Sequence, residues 1–476
     1  MQEVPVVFYF RERELKKLDN FMLSGSDKAM AIFGRRRTGK TQLIMEYLGN
    51  CRKSGNPRNV IYFQASGYDY SVCLNDFKAT LVRAFPELKV TEYFKTFKDV
   101  ISYISERETP IEAIIIDEFP FIAKKNENVP VEFQWIIDHG LGRIKLILLG
   151  SNRSFMKKQI NDSESPLYGR FDEIMEVRPF SYRDVRTLFP NFEDAVRVYA
   201  ATGGVAQYVM LYTGYSSVDG AETDLFFTRD GRLLQEAHNI LLQELKDVTT
   251  YTSILRAIGG GKTAGQIAGK CEIDQRAIYA YLTRLEEIGV VSVMYNPFPG
   301  KNKEKRYVIS DHLFRFNYTF IEPNISLINA LDAESKGYIL GNRYSEYLGL
   351  VYEEIIRDSC YEYSLKGLIP FMPNAAGKWW GNICEEGVWS ESEVDFVAFN
   401  DSDVLIGECK YREKAAGPGE LDRLILKSQF IPVKGRKKHY VLASKSGFTE
   451  ELKQRRDVIL IERDGFDCQV DSNCLI

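Results

Sequence analysis

The chain reads as a multidomain α/β protein, and three observations predict that class. At 476 residues it is too long for one hydrophobic core. Near its start an apolar run, AMAIF, leads through a turn rich in glycine and arginine into a helical pattern, TQLIMEYL. Near its end two β-patterned runs, VDFVAF and VLIGECKY, flank a turn-rich NDSD.

The early turn is Gly34-Arg35-Arg36-Arg37-Thr38-Gly39-Lys40-Thr41, which fits GxxxxGK[ST] with a strand expected before it and a helix after it. Glycines let the backbone curl with its N–H groups aimed at phosphate, and the helix N-terminus adds positive potential. Lys40 is expected to reach the β and γ oxygens of ATP, and Thr41 to ligate Mg²⁺. Further on, IEAIIIDEF has aliphatic residues from Ile111 to Ile116 and ends in Asp117-Glu118. That pattern predicts a central parallel strand whose C-terminal end faces the phosphate loop. Asp117 is expected in the Mg²⁺ shell. Glu118 is expected to orient and deprotonate the water that attacks the γ-phosphate.

Three more β-rich runs, NVIYFQAS (59–66), IKLILLGSN (144–152) and IMEVRPFS (174–181), alternate with helical patterns, as parallel α/β domains do. Ser151 and Asn152 end one of these strands, where a polar side chain can sense the γ-phosphate or cap a loop. Arg170, in SPLYGRFDEI, is a candidate charge-stabilising finger acting within its own chain or on a neighbour, with a surface salt bridge as the alternative.

Six stretches in order, FYFRERELKKL, FGRRRTGKT, IIIDEF, LILLGS, SPLYGR and ATGGVAQYV (201–209), resemble the archaeal-type ATPase family of P-loop AAA+ enzymes. The resemblance implies that Phe10 to Leu18 flank the adenine side of the site and that residues 182–245 form a helical lid on a core of residues 1–181.

From Thr250 the pattern changes. Helices are expected at 250–258, 264–270 and 274–288, followed by two strands around a loop, which is the order of a winged helix-turn-helix spanning 246–320. In such modules the last helix enters the major groove of DNA, and here it would offer Gln275, Arg276, Tyr279 and Arg284. The wing between Met294 and Tyr307 carries Lys301, Lys303, Lys305 and Arg306, suited to neutralising phosphates without reading sequence. The alternative is an inter-domain or protein-binding module whose lysines only solvate a loop. Residues 321–345 show no clear apolar period and are expected to be a connector, helical or not.

In the last segment, 346–476, VDFVAF and VLIGECKY are expected to form a hairpin of the kind that turn residues close. Side chains alternate along a strand, so Glu408 and Lys410 face one way and Cys409 the other. Asp395 on the first strand can lie beside them. Two carboxylates near one Mg²⁺ make an oxygen site, and the lysine can position or activate a water for phosphodiester hydrolysis. Glu353, on the preceding helix, can add a carboxylate or a hydrogen bond. The stretches GLVYEE, GKWWG, EVDFVAF and GECKYR resemble the restriction-endonuclease-like fold, and more closely the nuclease-like C-terminal domain that accompanies archaeal-type ATPases. The resemblance implies Asp395, Glu408 and Lys410 as catalytic residues, with Glu353, Asp395 and Glu408 around the metal. A proline often precedes the first acid in that fold, and this chain has Val394 there. The alternative is a hairpin whose charges cap a sheet edge. Trp379 and Trp380 read as packing residues rather than base-stacking platforms.

Composition narrows the classes. No stretch reaches the roughly 18 uninterrupted apolar residues of a membrane span. The N-terminus MQEVPVVFYFRERE shows neither a basic leader nor a long apolar core, so the expectation is a cytoplasmic protein without membrane association. Eight cysteines stand without a CxxC pair, which argues against a zinc module and gives no disulfide framework. A net charge of -4 does not suggest wholesale coating of nucleic acid, and it leaves room for a local basic groove. The expectation is an ATP-hydrolysing protein that binds DNA through its winged helix and carries a Mg²⁺-dependent nuclease-like domain. An ATP-dependent regulator that binds DNA or a protein without cutting is the alternative. Oligomeric state, a homo-oligomer included, is left open.

Overall fold

A computed structural model describes residues 9–67, 69–88, 93–124, 126–299 and 305–466. The chain divides into two compact units: the first runs to Phe180 and takes in Val205–Tyr208, and the second comprises Ser181–Gly204 with the described residues from Val209 onward.

The first unit is built on five parallel strands: β1 (Ala29–Phe33), β2 (Val60–Gln64), β3 (Ala113–Asp117), β4 (Lys145–Gly150) and β5 (Glu173–Glu176). Their order is β2-β3-β4-β1-β5, so the three aliphatic strands β1, β3 and β4 lie inside and are buried along their whole length. Period-2 alternation sends their side chains to two separate cores. Ala31, Phe33, Ile114, Ile116, Leu146 and Leu148 join one cluster. Met30, Ile32, Ala113, Ile115, Ile147 and Leu149 join the other, against the helices Glu12–Leu23 and Lys40–Lys53. The last strand is shorter than its β-rich sequence suggests, because its one partner, β1, ends at Phe33 opposite Glu176, where the chain turns into the phosphate loop.

The second unit opens with helices that include Tyr182–Leu188, Phe192–Thr202, Val218–Phe226 and Glu236–Glu244. Helices Val248–Ile258, Ala264–Cys271 and Ala277–Glu287 follow, then the antiparallel pair β6 (Val291–Tyr295) and β7 (Lys305–Ile309). The third of these helices starts three residues later than its periodicity predicts. Asp274 caps the turn that leads into it: its Oδ1 accepts the backbone N–H groups of Arg276 and Ala277, at 2.8 and 3.3 Å, and its carbonyl accepts the Ile278 N–H at 3.1 Å. The connector is helical at Ile325–Leu331 and Ser335–Leu340, with Ile328, Ile339 and Leu340 buried.

A second sheet ends the unit: β8 (Ala375–Glu385), β9 (Val388–Phe399), β10 (Asp403–Lys410), β11 (Lys437–Ser444) and β12 (Ile459–Glu462), in the order β12-β11-β10-β9-β8. The pairs β8/β9 and β9/β10 are antiparallel, while β10/β11 and β11/β12 are parallel. Helix Pro418–Ser428 supplies the crossover that the parallel pair β10/β11 requires. Between β6 and β7 the chain leaves its own hairpin. Phe298 is buried in the core of this second sheet with Trp379, Val394 and Val397, and Asn296 Nδ2 donates to the Trp380 carbonyl at 2.6 Å.

Candidate functional site

The loop between β1 and helix Lys40–Lys53 is shaped by its glycines. A Cβ on Gly34 would lie 2.2 Å from the Val177 carbonyl oxygen, and Gly39 has φ +92°, so neither position accepts a side chain without rebuilding the loop. Arg37 also takes a positive φ, 67°. Its guanidinium lies 5.6 Å from the Tyr208 ring centroid, while Arg36 stands 5.7 Å from that of Phe121. Thr38 is fully buried and donates to the Arg35 carbonyl at 2.8 Å. Lys40 Nζ lies inside the loop, donating to the carbonyls of Gly34 and Arg35, each at 3.0 Å. Burial pulls its pKa down to about 8, against the pull of Glu118 and Asp117.

The acids arrive from β3. Asp117 Oδ2 accepts from Thr41 Oγ1 at 2.5 Å and from the Tyr62 hydroxyl at 2.7 Å, and Oδ1 accepts the Glu118 N–H at 2.8 Å. Glu118 has φ 56° and starts the short helix Phe119–Ala123. Its Oε2 accepts from Ser151 Oγ at 2.7 Å and from Ser151 N at 3.3 Å. Thr41, Asp117, Glu118, Ser151 and Lys40 thus gather at the C-terminal ends of β1, β3 and β4. Asn152 caps helix Arg153–Asn161 by accepting the Phe155 N–H at 2.9 Å. Arg170 pairs with Asp138 at 3.1 Å and donates to the Tyr168 carbonyl. At the front, Arg11 donates to the Thr38 and Arg178 carbonyls at 3.1 and 2.7 Å and lies 5.0 Å from the Phe180 ring centroid.

In the second unit, pairing of β9 with β10 ends at Phe396 and Gly407, one step before Asp395. Asp395 Oδ2 instead accepts the Cys409 N–H at 2.7 Å. Gly407 is required here, since a Cβ would lie 2.2 Å from the Phe396 ring. Lys410 Nζ meets Glu408 Oε1 at 2.9 Å, as the alternation of the strand predicts. Lys427, on the crossover helix, meets Glu408 Oε2 at 3.3 Å and donates to the Glu393 carbonyl at 2.9 Å. Lys378 on β8 bridges Glu353 and Glu393, each at 3.2 Å. Burial, then Glu353 and Glu408, holds the Asp395 carboxyl well above the usual carboxylate range. Burial likewise raises Glu353, with Lys378 opposing. Lys410 is held above its ordinary value even though burial works against it, because Glu408 and Asp395 stand beside it.

The three acids are therefore close enough to repel one another, but their carboxylates are turned to other partners. Among the described residues no three His, Cys, Asp or Glu side chains are arranged to hold a metal ion. Glu353 faces Lys378, and Glu408 faces two lysines.

Arg306 pairs with Glu391 at 2.6 Å and lies 4.9 Å from the Trp380 ring centroid, so it faces the second sheet. Lys305 stands 5.5 Å from the Tyr295 ring, while Lys301 and Lys303 lie outside the described residues. Gln275, Arg276 and Tyr279 are exposed, whereas Arg284 pairs with Glu287 at 2.6 Å. Trp379 and Trp380 are buried, as packing residues are. Among the described residues six cysteines take part in no disulfide, and Cys468 and Cys474 lie outside the described residues. No described helix is long and apolar enough to cross a membrane.

Sequence reasoning missed Tyr62, Lys378 and Lys427. Tyr62 sits in a β-rich run, where an aromatic reads as core. Lys427 left a signal: it shares a buried helix face with Leu421, Leu424 and Ser428, where a lysine is out of place unless paired.

Residues 8–212 match the family described as an ATPase domain predominantly from Archaea, and residues 317–420 match archaeal and bacterial proteins of unknown function. An uncharacterized protein of Methanocaldococcus jannaschii is 29% identical over 482 residues, covering 97% of this chain and 100% of its own. The Walker-type ATPase of Pyrococcus abyssi aligns with 65% of this chain and 96% of its own at 19% identity and a TM-score of 0.48. The ORC2 protein of Aeropyrum pernix, solved with ADPNP and ADP, aligns with 69% of this chain and 96% of its own at 15% identity and a TM-score of 0.44. Residues 8–212 are thus similar to an archaeal ATPase domain, and they fold around a parallel sheet with a phosphate-type loop, while a separate mixed sheet follows in the second unit.

Proposed function

We propose that the first unit hydrolyses ATP with Mg²⁺ and that the second acts on DNA, through a winged helix-turn-helix over 246–320 and a nuclease-like site over 346–476. The meeting of Thr41 Oγ1 and Asp117 Oδ2 at 2.5 Å, beside a Glu118 fixed by Ser151, carries the ATP reading. These are hard oxygen donors of the kind Mg²⁺ takes, and the ion would neutralise charge on the β and γ oxygens. The loop N–H groups and Lys40 hold the phosphates, and Glu118 accepts the proton of the attacking water.

For the DNA reading, the supporting observation is that Asp395, Glu408 and Lys410 meet at one end of the β9–β10 hairpin with Glu353 alongside. Asp395 and Glu408 would hold the cation, whose charge would offset their mutual repulsion and that of the attacked phosphate. Lys410 positions the water. The second reading, a regulator that binds without cutting, draws support from the double pairing of Glu408 with Lys410 and Lys427.

The test is an assay of the full chain with Mg²⁺ or Mn²⁺ on linear, nicked and branched DNA, with and without ATP. Cutting that disappears in Asp395→Ala and Lys410→Ala supports the nuclease, while binding without cutting by the unaltered protein moves the assignment to the regulator. Full ATP turnover in Lys40→Ala would overturn the ATP site. Replacing the wing cations should flatten the dependence of DNA affinity on salt, and an unchanged slope removes the wing from the phosphate footprint.

A further inference from the structure

Asp117 is 1% exposed, and its carboxylate is held by three donors from three different places in the fold. The Glu118 N–H comes from the chain itself, the Thr41 hydroxyl from the phosphate loop, and the Tyr62 hydroxyl from β2, the edge strand. The first two belong to the P-loop arrangement already described. The third does not.

Its geometry follows from strand register. Tyr62 pairs with Ile115 and Gln64 with Asp117, so the tyrosine lies two residues back along β2 from the residue opposite the acid. Diagonal neighbours at that separation lie within reach of a long aromatic side chain. The phenol therefore crosses to Asp117 and ends 2.7 Å from Oδ2, the oxygen that also takes Thr41.

A carboxylate has about four lone-pair directions, and three donors here leave it little freedom to turn. Thr41 can offer its oxygen to a cation while its proton remains on Asp117, so that contact changes character when the site fills. The Tyr62 contact has no such second duty. We infer that Tyr62 is a positioning residue for the cation of the ATP site, holding Asp117 from the sheet edge so that its carboxylate meets the metal shell in one orientation. The inference rests on the ATP reading above and adds a residue to it.

The experiment measures binding of a fluorescent, non-hydrolysable ATP analogue to the full chain, titrated with Mg²⁺ and repeated in EDTA. Tyr62→Phe keeps the ring and removes one oxygen. It should raise the Mg²⁺ concentration for half-saturation by about tenfold, the size expected for one lost bond to a charged acceptor. Affinity for the analogue in EDTA should stay within about twofold, because no phosphate contact has been touched. An unchanged Mg²⁺ requirement overturns the inference. Equal weakening in EDTA also overturns it, since that would mark a packing role. Lys40→Ala separates the two levels: undiminished analogue binding there sinks the ATP reading itself, whereas its loss beside an indifferent Tyr62→Phe sinks only the role of Tyr62.

Discussion

The two sites are made of the same groups, carboxylates and lysines at strand ends, yet they hold their charges in opposite ways. In the first unit Lys40 points at backbone carbonyls, and Asp117 and Glu118 accept from hydroxyls and N–H groups. The protein leaves those charges without a salt bridge to one another. In the second unit Lys410 and Lys427 both lie on Glu408, and Lys378 lies between Glu353 and Glu393. One site holds its charges on neutral groups, and the other holds them on opposite charges. The presence of the right residues is thus a weaker guide to a working site than the company they keep.

The largest effect that could break this contrast is kinetic. Glu118→Gln should slow ATP turnover by a factor on the order of 10² to 10⁴ while nucleotide binding persists, as loss of a general base does. Turnover near the unaltered rate would mean that the acid is not poised as described. Next come two lysines whose removal should act with opposite signs. Lys427→Met takes one of two lysine partners from the half-buried carboxylate of Glu408 and should cost roughly 1–3 kcal/mol in denaturant unfolding. Lys40→Met removes a cation that burial disfavours and should leave stability unchanged or raise it. Equal losses would erase the difference between the sites.

Titration sharpens it further. With the Lys40 pKa near 8, nucleotide affinity should fall as pH rises through 8, by up to about tenfold per unit, because phosphate favours the protonated amine. Lys40→Arg should remove that dependence in fluorescence titrations. The smallest effect concerns Asp395. Its folded pKa is raised, so its contribution to stability is full below the unfolded value near 4 and is lost as pH rises through the folded value. Asp395→Asn should therefore melt a few degrees higher than the unaltered chain at pH 8, and the gap should close toward pH 4. A gap that widens on acidification would contradict the raised carboxyl.

The parallel core was legible because its physics is local. Unbroken aliphatic runs such as Ile114 to Ile116 admit only a strand buried on both faces, and glycine at 34 and 39 leaves few loop shapes. Likewise, two-residue alternation placed Lys410 beside Glu408. What stayed hidden was long-range. Tyr62 reaches Asp117 across 55 residues of chain, and Lys378 reaches Glu353 across 25. No periodicity encodes such partners, so the sequence could propose which acids gather but not which lysines occupy them. The partner of Arg306 is long-range in the same way: Glu391 lies 85 residues further along the chain.

Phe298 carries a consequence for anyone who divides this chain. Its ring lies 4.8 Å from that of Phe399, with the Arg436 guanidinium 5.6 Å away, so a residue from the middle of the sequence completes the interior of its final segment. A fragment beginning at residue 346 would be born with a hollow beneath Trp379, and one ending at 345 would carry a greasy finger with nowhere to go. Losses of that kind run to about 3–5 kcal/mol for a phenylalanine. Grafting either piece onto a relative therefore means transplanting both halves of the joint.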